Sequence, residues 1–361
     1  MAAFFAAAAV SSAYLPLWFA DRGLSAAQIG QVLGLAALLR VGVIPLWGWL
    51  ADAAGRRRAM LALAAGLAAG MASLLPAAPP TLPLYAVACA QGLAAAALAP
   101  LADAVALSLA AVGRLDYGRT RAWGSVGYMV ASAAGGALVG AAGTRVVPPV
   151  LALGYGAAAV LGALMPEAPR TAPLPHERAS PFRLPAFRRA LLASALIQGA
   201  HATYYSFAAL RWRAAGIPDA VVGLLIAEGI VAEVALFVWG RRLVERVGPG
   251  RLTMAAAGLS AVRWTALAFV VDPWALAALQ VLHAGTFAFQ HLSAMLVLRR
   301  VGAGRAATAQ AWLAALGYAL PTGALTWLAG QLYADRPALA FVAMAVVAAL
   351  AVPVGARLRA G

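Results

Sequence analysis

The chain contains no lysine, a single cysteine and only 11% charged residues. Without lysine there can be no phosphate-binding loop of the type that ends in Lys, so ATP hydrolysis within this chain is excluded as an energy source. The one cysteine, Cys89, lies inside an apolar run, which rules out an internal disulfide and a thiolate metal cage. The four histidines, His176, His201, His283 and His291, never place two ligands in one loop. No metal or other cofactor is expected from that pattern. Short segments with strict apolar and polar alternation are also missing, which argues against a membrane β-barrel.

What is abundant is apolar surface. Hydrophobic residues make up 64% of the chain and mean hydropathy is +0.84, whereas soluble domains run near 45–50% apolar. Apolar runs of about 20 residues, the thickness of a bilayer core, recur along the whole length. The expected fold class is an all-α membrane protein. Breaks at charged, Pro and Gly clusters give twelve spans, near 2–19, 28–50, 59–76, 82–110, 122–143, 147–165, 188–210, 220–240, 252–271, 274–298, 311–332 and 338–356. The run from Met1 to Asp21 lacks a basic n-region, so an uncleaved first span is expected rather than a secretory signal.

The net charge of +15 does not indicate a nucleic-acid partner, because the arginines sit in short loops. Alternate connections hold 20 of the 27 arginines and the opposite set holds five: Arg22, Arg145, Arg211, Arg213 and Arg336. This bias places the first set, and both termini, in the cytoplasm, with the protein in the cell inner membrane. A Pro- and Arg-rich stretch divides the spans six and six. The expected organisation is a bundle over 1–165, a cytoplasmic linker over 166–187 and a second bundle over 188–361.

The two halves share a repeat. Residues Gly23 to Arg58 align without a gap on Gly216 to Arg251 at an offset of 193, with Gly23/Gly216, Gly30/Gly223, Leu50/Leu243, Gly55/Gly248 and Arg58/Arg251 identical and Asp52 matched by Glu245. Midway along the apolar stretch Arg40 meets Glu233. Paired membrane halves with ionisable residues at matched mid-helix positions read as a secondary transporter with its site between the repeats.

Between spans 2 and 3 stands Gly48-Trp-Leu-Ala-Asp52-Ala-Ala-Gly55-Arg56-Arg57-Arg58. Gly55 suits a tight turn, Asp52 can pair with an arginine, and Arg56 with its neighbours anchors the turn in the cytoplasm. A charged turn obeying the positive-inside rule would look the same. The stretch also resembles the signature loop of the major facilitator superfamily, where it is tied to conformational change. More specific likenesses follow. Asp116-Tyr-Gly-Arg-Thr-Arg-Ala-Trp-Gly-Ser-Val-Gly-Tyr128, Ser260-Ala-Val-Arg263 and Leu282-His283 resemble the lactose permease group of proton symporters. Ala200-His-Ala-Thr-Tyr-Tyr-Ser206 and Val281-Leu-His-Ala-Gly-Thr-Phe287 are similar to the 3-phenylpropionate permease branch. The resemblance covers nearly the whole chain. It implies a proton-coupled symporter working by alternating access on a small organic solute, with an aromatic monocarboxylate favoured, and a monomer. A sugar or nucleoside symporter and a drug/proton antiporter stay open. A multi-pass membrane enzyme is a remote alternative, as is a sensor or scaffold.

Arg40, Asp103, Glu228, Glu233 and Arg263 fall within apolar spans and Arg121 at the edge of one. Each isolated charge at the bilayer centre costs about 2.5–3.5 kcal/mol on insertion scales, so each needs a partner or a wet cavity. Fixed ion pairs between helices would meet that need, and so would a transport path. The 18-residue spacing of Asp103 and Arg121 matches the lactose permease group, which implies that the two engage substrate together. Trp123 could stack on a solute ring or anchor at the headgroups. Gln280, His283, Phe287 and Gln290 form one helical stripe expected to face the cavity, and Gln198, His201 and Tyr205 form another. Glu228 and Glu233 are about 140° apart on their helix, and Glu233, the mate of Arg40, is expected in the cavity. The lactose permease pattern puts a coupling carboxylate three residues after the span-10 histidine, where this chain has Thr286. Glu233, Glu228, Arg263 and His283 are therefore the candidates for proton coupling, since a carboxylate in a low-dielectric site can exist protonated.

Overall fold

The computed structural model describes residues 1–166, 180–301 and 303–358, with only the backbone described at 241 and 303–307. Most of the expected linker 166–187, His176 included, lies outside the described residues. Twelve helical rods run in chain order and no strand occurs among the described residues. They are α1 (Ala2–Asp21), α2 (Ala26–Ala54), α3 (Arg57–Ala77), α4 (Leu82–Ala111), α5 (Tyr117–Ala142) and α6 (Thr144–Leu164). Then come α7 (Pro185–Gly199 with Ala202–Ala214), α8 (Asp219–Trp239), α9 (Pro249–Phe269), α10 (Pro273–Leu298), α11 (Thr308–Asp335) and α12 (Pro337–Ala356). All but α7 are long and apolar enough to cross a membrane uninterrupted.

Local chemistry accounts for the ends of the rods. Ser25 and Gln28 cap α2 reciprocally: the Ser25 amide donates to Gln28 Oε1 at 2.9 Å and the Gln28 amide to Ser25 Oγ at 3.3 Å. Asp116 accepts from the Arg119 amide at 2.7 Å and Asp272 from the Ala275 amide at 2.9 Å, starting α5 and α10. The repeat is visible in the backbone. Gly23 and Gly216 have φ of +86° and +84°, and Gly55 and Gly248 have +61° and +77°. Positive φ is the reason glycine stands at both copies of each turn. The start of α8 at Asp219 also lies 193 residues after the start of α2 at Ala26. The copies part at the far end, where α2 runs unbroken to Ala54 but α8 stops at Trp239 and a short helix, Arg241–Val247, follows.

The chain forms two compact units. One takes in the described residues of Met1–Ala172 with Gly216–Ala227, the other those of Pro173–Ala215 with Glu228–Gly361. In the first, α1 packs on α5 and α6, and α3 on α4 and α6. In the second, α9 packs on α10 and α12, and α7 on α10, α11 and α12. Buried positions in both are crowded with alanine while large apolar side chains such as Leu82, Leu153, Leu164 and Trp274 face outward. Small residues let helix backbones approach, and outward Leu and Trp are solvated by lipid.

Local departures from a plain helix shape the second unit, and two of them adjoin the candidate site. The α7 rod breaks at Ala200–His201, beside Gly199, where a Cβ would come within 2.9 Å of Pro321 and 2.8 Å of Leu325 on α11. Ala284–Ala288 in α10 is a π-helical turn directly after His283. Such turns carry an extra residue and change the phase of everything that follows.

Candidate functional site

The densest polar cluster lies in the second unit, where α7, α9 and α10 meet around Arg263. This side chain is fully buried, as are His201, Gln280 and Thr286, with His283 at 1% exposure. Arg263 Nη2 donates to Gln280 Oε1 at 2.8 Å, and the Tyr204 hydroxyl donates to the same oxygen at 2.9 Å. Arg263 Nη1 lies 2.9 Å from His283 Nδ1 and donates to Thr286 Oγ1 at 3.3 Å. The guanidinium carbon stands 4.6 Å from the centre of the Tyr204 ring and 4.8 Å from that of Trp264, a favourable arrangement for a desolvated cation. On the other side of the imidazole, His283 Nε2 is 3.4 Å from Glu233 Oε2 on α8. Gly229, one turn earlier on α8, also lies against His283 and Gln280.

No carboxylate pairs with Arg263 among the described residues. Its Nε has no hydrogen-bond partner, and neither do Gln280 Nε2, Trp264 Nε1 and Ser260 Oγ around it. Native interiors pair almost all such groups, so a set of orphaned donors about a buried cation calls for an acceptor. The aromatic surround is Tyr204, Trp264, His201, Tyr205 and Phe287.

His201 occupies the break in α7. Its Nδ1 contacts the Ile197 carbonyl at 2.9 Å while the His201 amide bonds Gln198 O instead, and its Nε2 is 3.3 Å from Thr286 Oγ1. Both ring nitrogens are thus occupied by the fold, and the residue sits behind Thr286. Of the expected polar stripe on α10, Gln280 and His283 join the cluster. Gln290 does not face a cavity. It is fully buried between helices, accepting from Thr253 at 3.0 Å and donating to Ser194 at 3.0 Å. The π-turn between His283 and Gln290 breaks the stripe's register. Glu228 lies within electrostatic reach of Tyr204.

The first unit is organised differently. Asp103 is half-buried and accepts from the Tyr117 hydroxyl at 3.3 Å, with Arg121 in electrostatic reach. The Arg121 guanidinium stacks on Phe5 at 4.4 Å. Trp123 takes no part in that stack and is 64% exposed. Gly124 makes the room, since a Cβ there would lie 2.6 Å from the Phe5 ring. Arg40, deep in the unit, has Tyr155 and Cys89 as electrostatic neighbours and an Nε with no partner.

In the turn after α2, Asp52 accepts from Arg57 Nε at 3.0 Å and Nη2 at 2.8 Å. Arg57 also reaches Ser108 on α4 at 3.3 Å, and Arg58 donates to the Met165 carbonyl after α6 at 2.9 Å. The turn therefore joins four rods of one unit. Gly48 lies within α2, and Arg56 is the exposed N-cap of α3. Three residues that matter escaped the sequence reading: Tyr204, Phe5 and Trp264. Tyr204 is three residues after His201, a spacing that could have flagged it, whereas Phe5 had no signal at all.

Among the described residues, eleven helices long and apolar enough to cross a membrane, with a repeat spanning both halves and buried charges set among aromatic rings, define a polytopic membrane protein. The model of the MFS_1 like family matches residues 3–343, and the chain belongs to that family of major facilitator transporters. It is 35% identical over 258 residues to the probable 3-phenylpropionic acid transporter of Escherichia coli (strain K12), covering 70% of this chain and 68% of that one. It is 31% identical over 254 residues to the maltose permease of Geobacillus stearothermophilus, covering 69% and 64%. Among solved structures, the nucleoside transporter NupG superposes with a TM-score of 0.79 at 17% identity over 99% of this chain and 97% of that one. A bacterial homologue of the human lysosomal transporter Spinster gives 0.75 at 16% identity, over 98% and 93%. At those identities the likeness shows the fold. The chain is a multi-pass membrane transporter with a small-molecule substrate, and not an enzyme.

Proposed function

We propose that the chain is a proton-coupled symporter of a small organic anion, with an aromatic monocarboxylate such as 3-phenylpropionate as solute. The observation that carries this reading is Arg263: a buried guanidinium with neutral partners, orphaned donors beside it and aromatic rings around it. A carboxylate would supply the missing charge and accept from a planar fork, and a phenyl ring would match the aromatic walls. The resemblance to the 35% identical probable 3-phenylpropionic acid transporter supports the same chemistry. Proton coupling is supported by Glu233 and His283 beside Arg263, two groups that can carry a proton. Asp103, Arg121 and Arg40 are the substrate-binding candidates within the first unit. The protein would reside as a monomer in the cytoplasmic membrane, its arginine-rich loops and both termini facing the cytoplasm.

Thermal-shift titration of the purified protein tests the solute. Only a ligand with affinity for the folded state stabilises it. 3-Phenylpropionate is expected to raise the melting temperature and neutral 3-phenylpropanol to leave it unchanged. Stabilisation by maltose or nucleosides but not by the acid would sink the anion reading. The sugar alternative has its own support in Asp103 with Tyr117, since a carboxylate beside a phenol suits sugar hydroxyls, and in the likeness to a maltose permease.

A further inference from the structure

We infer that Arg263 locks His283 in one tautomer, and that a solute carboxylate releases the lock, so that binding of the anion creates the proton site. The release rests on the anion reading above; the lock rests on hydrogen-bond direction alone. A guanidinium has N–H donors and no acceptor. With Arg263 Nη1 2.9 Å from His283 Nδ1, that nitrogen must present its lone pair. The imidazole is therefore neutral with its hydrogen on Nε2, pointing at Glu233 Oε2 3.4 Å away. A second proton on Nδ1 would set two N–H groups head to head.

The neighbours enforce the same direction. His201 Nδ1–H donates to the Ile197 carbonyl at 2.9 Å, its Nε2 lies 3.3 Å from Thr286 Oγ1, and the Thr286 hydroxyl donates to the His283 carbonyl at 3.2 Å. The Thr286 oxygen is left to accept from Arg263 Nη1. Every acceptor that Nη1 meets is thus neutral. A solute carboxylate is an anionic acceptor, whose charge-assisted bond is about twice as strong as a neutral one. Arg263 also has an unpartnered Nε with which to catch it.

When Nη1 turns from His283 to the solute, the Nδ1 lone pair is uncovered and takes the proton that enters from the bulk with the solute anion, and the imidazolium faces Glu233. The charges of these three groups balance at each stage. Guanidinium, neutral imidazole and carboxylate sum to zero, and adding one solute carboxylate with one proton keeps the sum at zero. Transfer of the pair therefore leaves no uncompensated charge among them, which is the costly alternative in a membrane. The other titratable groups facing His283 are Tyr204, Tyr205 and His201 from α7, with ring centres 5.9, 6.4 and 5.6 Å away. On α8, Glu228 is in reach of Tyr204. Gln280, Thr286 and Phe287, on the helix of His283 itself, do not titrate.

The test uses the full chain labelled with [15N]histidine in detergent, with the His283 signals assigned by their loss in His283→Asn. Without ligand, at about pH 6 where a free imidazole is largely protonated, long-range 1H–15N spectra are expected to show the neutral Nε2–H form. An Nδ1–H or doubly protonated ring would overturn the lock. Saturating 3-phenylpropionate is expected to produce the doubly protonated ring and, in weak buffer with an indicator dye, uptake of about one proton per molecule bound. Binding without uptake, or undiminished uptake in His283→Asn, would overturn the release. Arg263→Met keeps the bulk and removes the donors, and it is expected to show the doubly protonated ring with no ligand. An unchanged Nε2–H signal in that variant would refute the lock. Should 3-phenylpropionate fail to bind, the anion reading falls and the release with it, while the ligand-free spectra still decide the lock.

Discussion

Arg121 and Arg263 both lie against aromatic rings, one in each unit, and differ in what surrounds the charge. Arg121 is partly exposed, stacks on Phe5 and has the carboxylate of Asp103 in electrostatic reach. Arg263 is wholly buried, and its five close partners, Gln280, His283, Thr286 and the Tyr204 and Trp264 rings, are all neutral side chains. A cation with a nearby anion is already compensated and gains little from a second one. A buried cation without one gains a great deal, because in low dielectric the interaction is weakly screened. On the proposed anion reading, the comparison favours Arg263 for the carboxylate and leaves Arg121 with Asp103 as a balanced pair suited to hydroxyls or to orientation.

The most direct way to break this comparison is to remove each cation in turn. Arg263→Gln is expected to weaken 3-phenylpropionate binding by about 100-fold or more, the scale of losing a bidentate charge-assisted contact of roughly 3 kcal/mol. Calorimetric affinity within a few-fold of wild type would move the anion site elsewhere. Next in size is Glu233→Gln. Gln keeps the shape and removes the negative charge that would compensate a protonated His283, so labelled solute should still exchange across the membrane while accumulation driven by a pH gradient collapses. In wild-type vesicles accumulation is expected to grow as the solute-side pH falls, since the proton is a co-substrate, and in Glu233→Gln to be flat with pH. Full uphill transport by this variant would remove Glu233 from the coupling path, and Glu228→Gln provides the control.

A smaller effect is expected in the first unit. Arg121→Ala and Asp103→Ala should each cost about tenfold in affinity, roughly 1.4 kcal/mol. Arg121→Lys should behave like the alanine variant, because a point charge lacks the planar fork. Losses as large as that of Arg263→Gln would put both units on an equal footing and erase the distinction. The smallest effect is predicted for Asp52→Asn. The Asp52 side chain is 63% exposed, so its ion pair with Arg57 is worth under about 1 kcal/mol. A transport rate that drops sharply while the melting temperature holds would show that the turn acts on conformational change rather than on stability.

Much of the fold was legible because membrane helices obey local rules. Length, apolarity and loop breaks located all twelve rods, and the matched glycines marked turns that the backbone does make with positive φ at Gly23, Gly55, Gly216 and Gly248. The break in α7 was harder to foresee: it adjoins Gly199, where Pro321 and Leu325 of another helix leave no room for a side chain, a contact that no local pattern reveals. The polar stripe of α10 was half right for a related reason. Its spacing assumed an uninterrupted α-helix, and the π-turn at Ala284–Ala288 sends Gln290 to a helix interface.

By itself the sequence determined the class: an all-α membrane protein in two related halves, without ATP chemistry, carrying a handful of charges that had to be functional or paired. Those conclusions follow from composition and period, which each residue carries wherever it packs. Only the tertiary structure decided the pairing. It put Glu233 of α8 beside His283 of α10. It left Arg263 with neutral partners, and it set Phe5 rather than Trp123 against Arg121. Sequence lists which groups are charged, but whether a charge is compensated depends on distances of a few ångströms between helices far apart in the chain, and packing alone sets those.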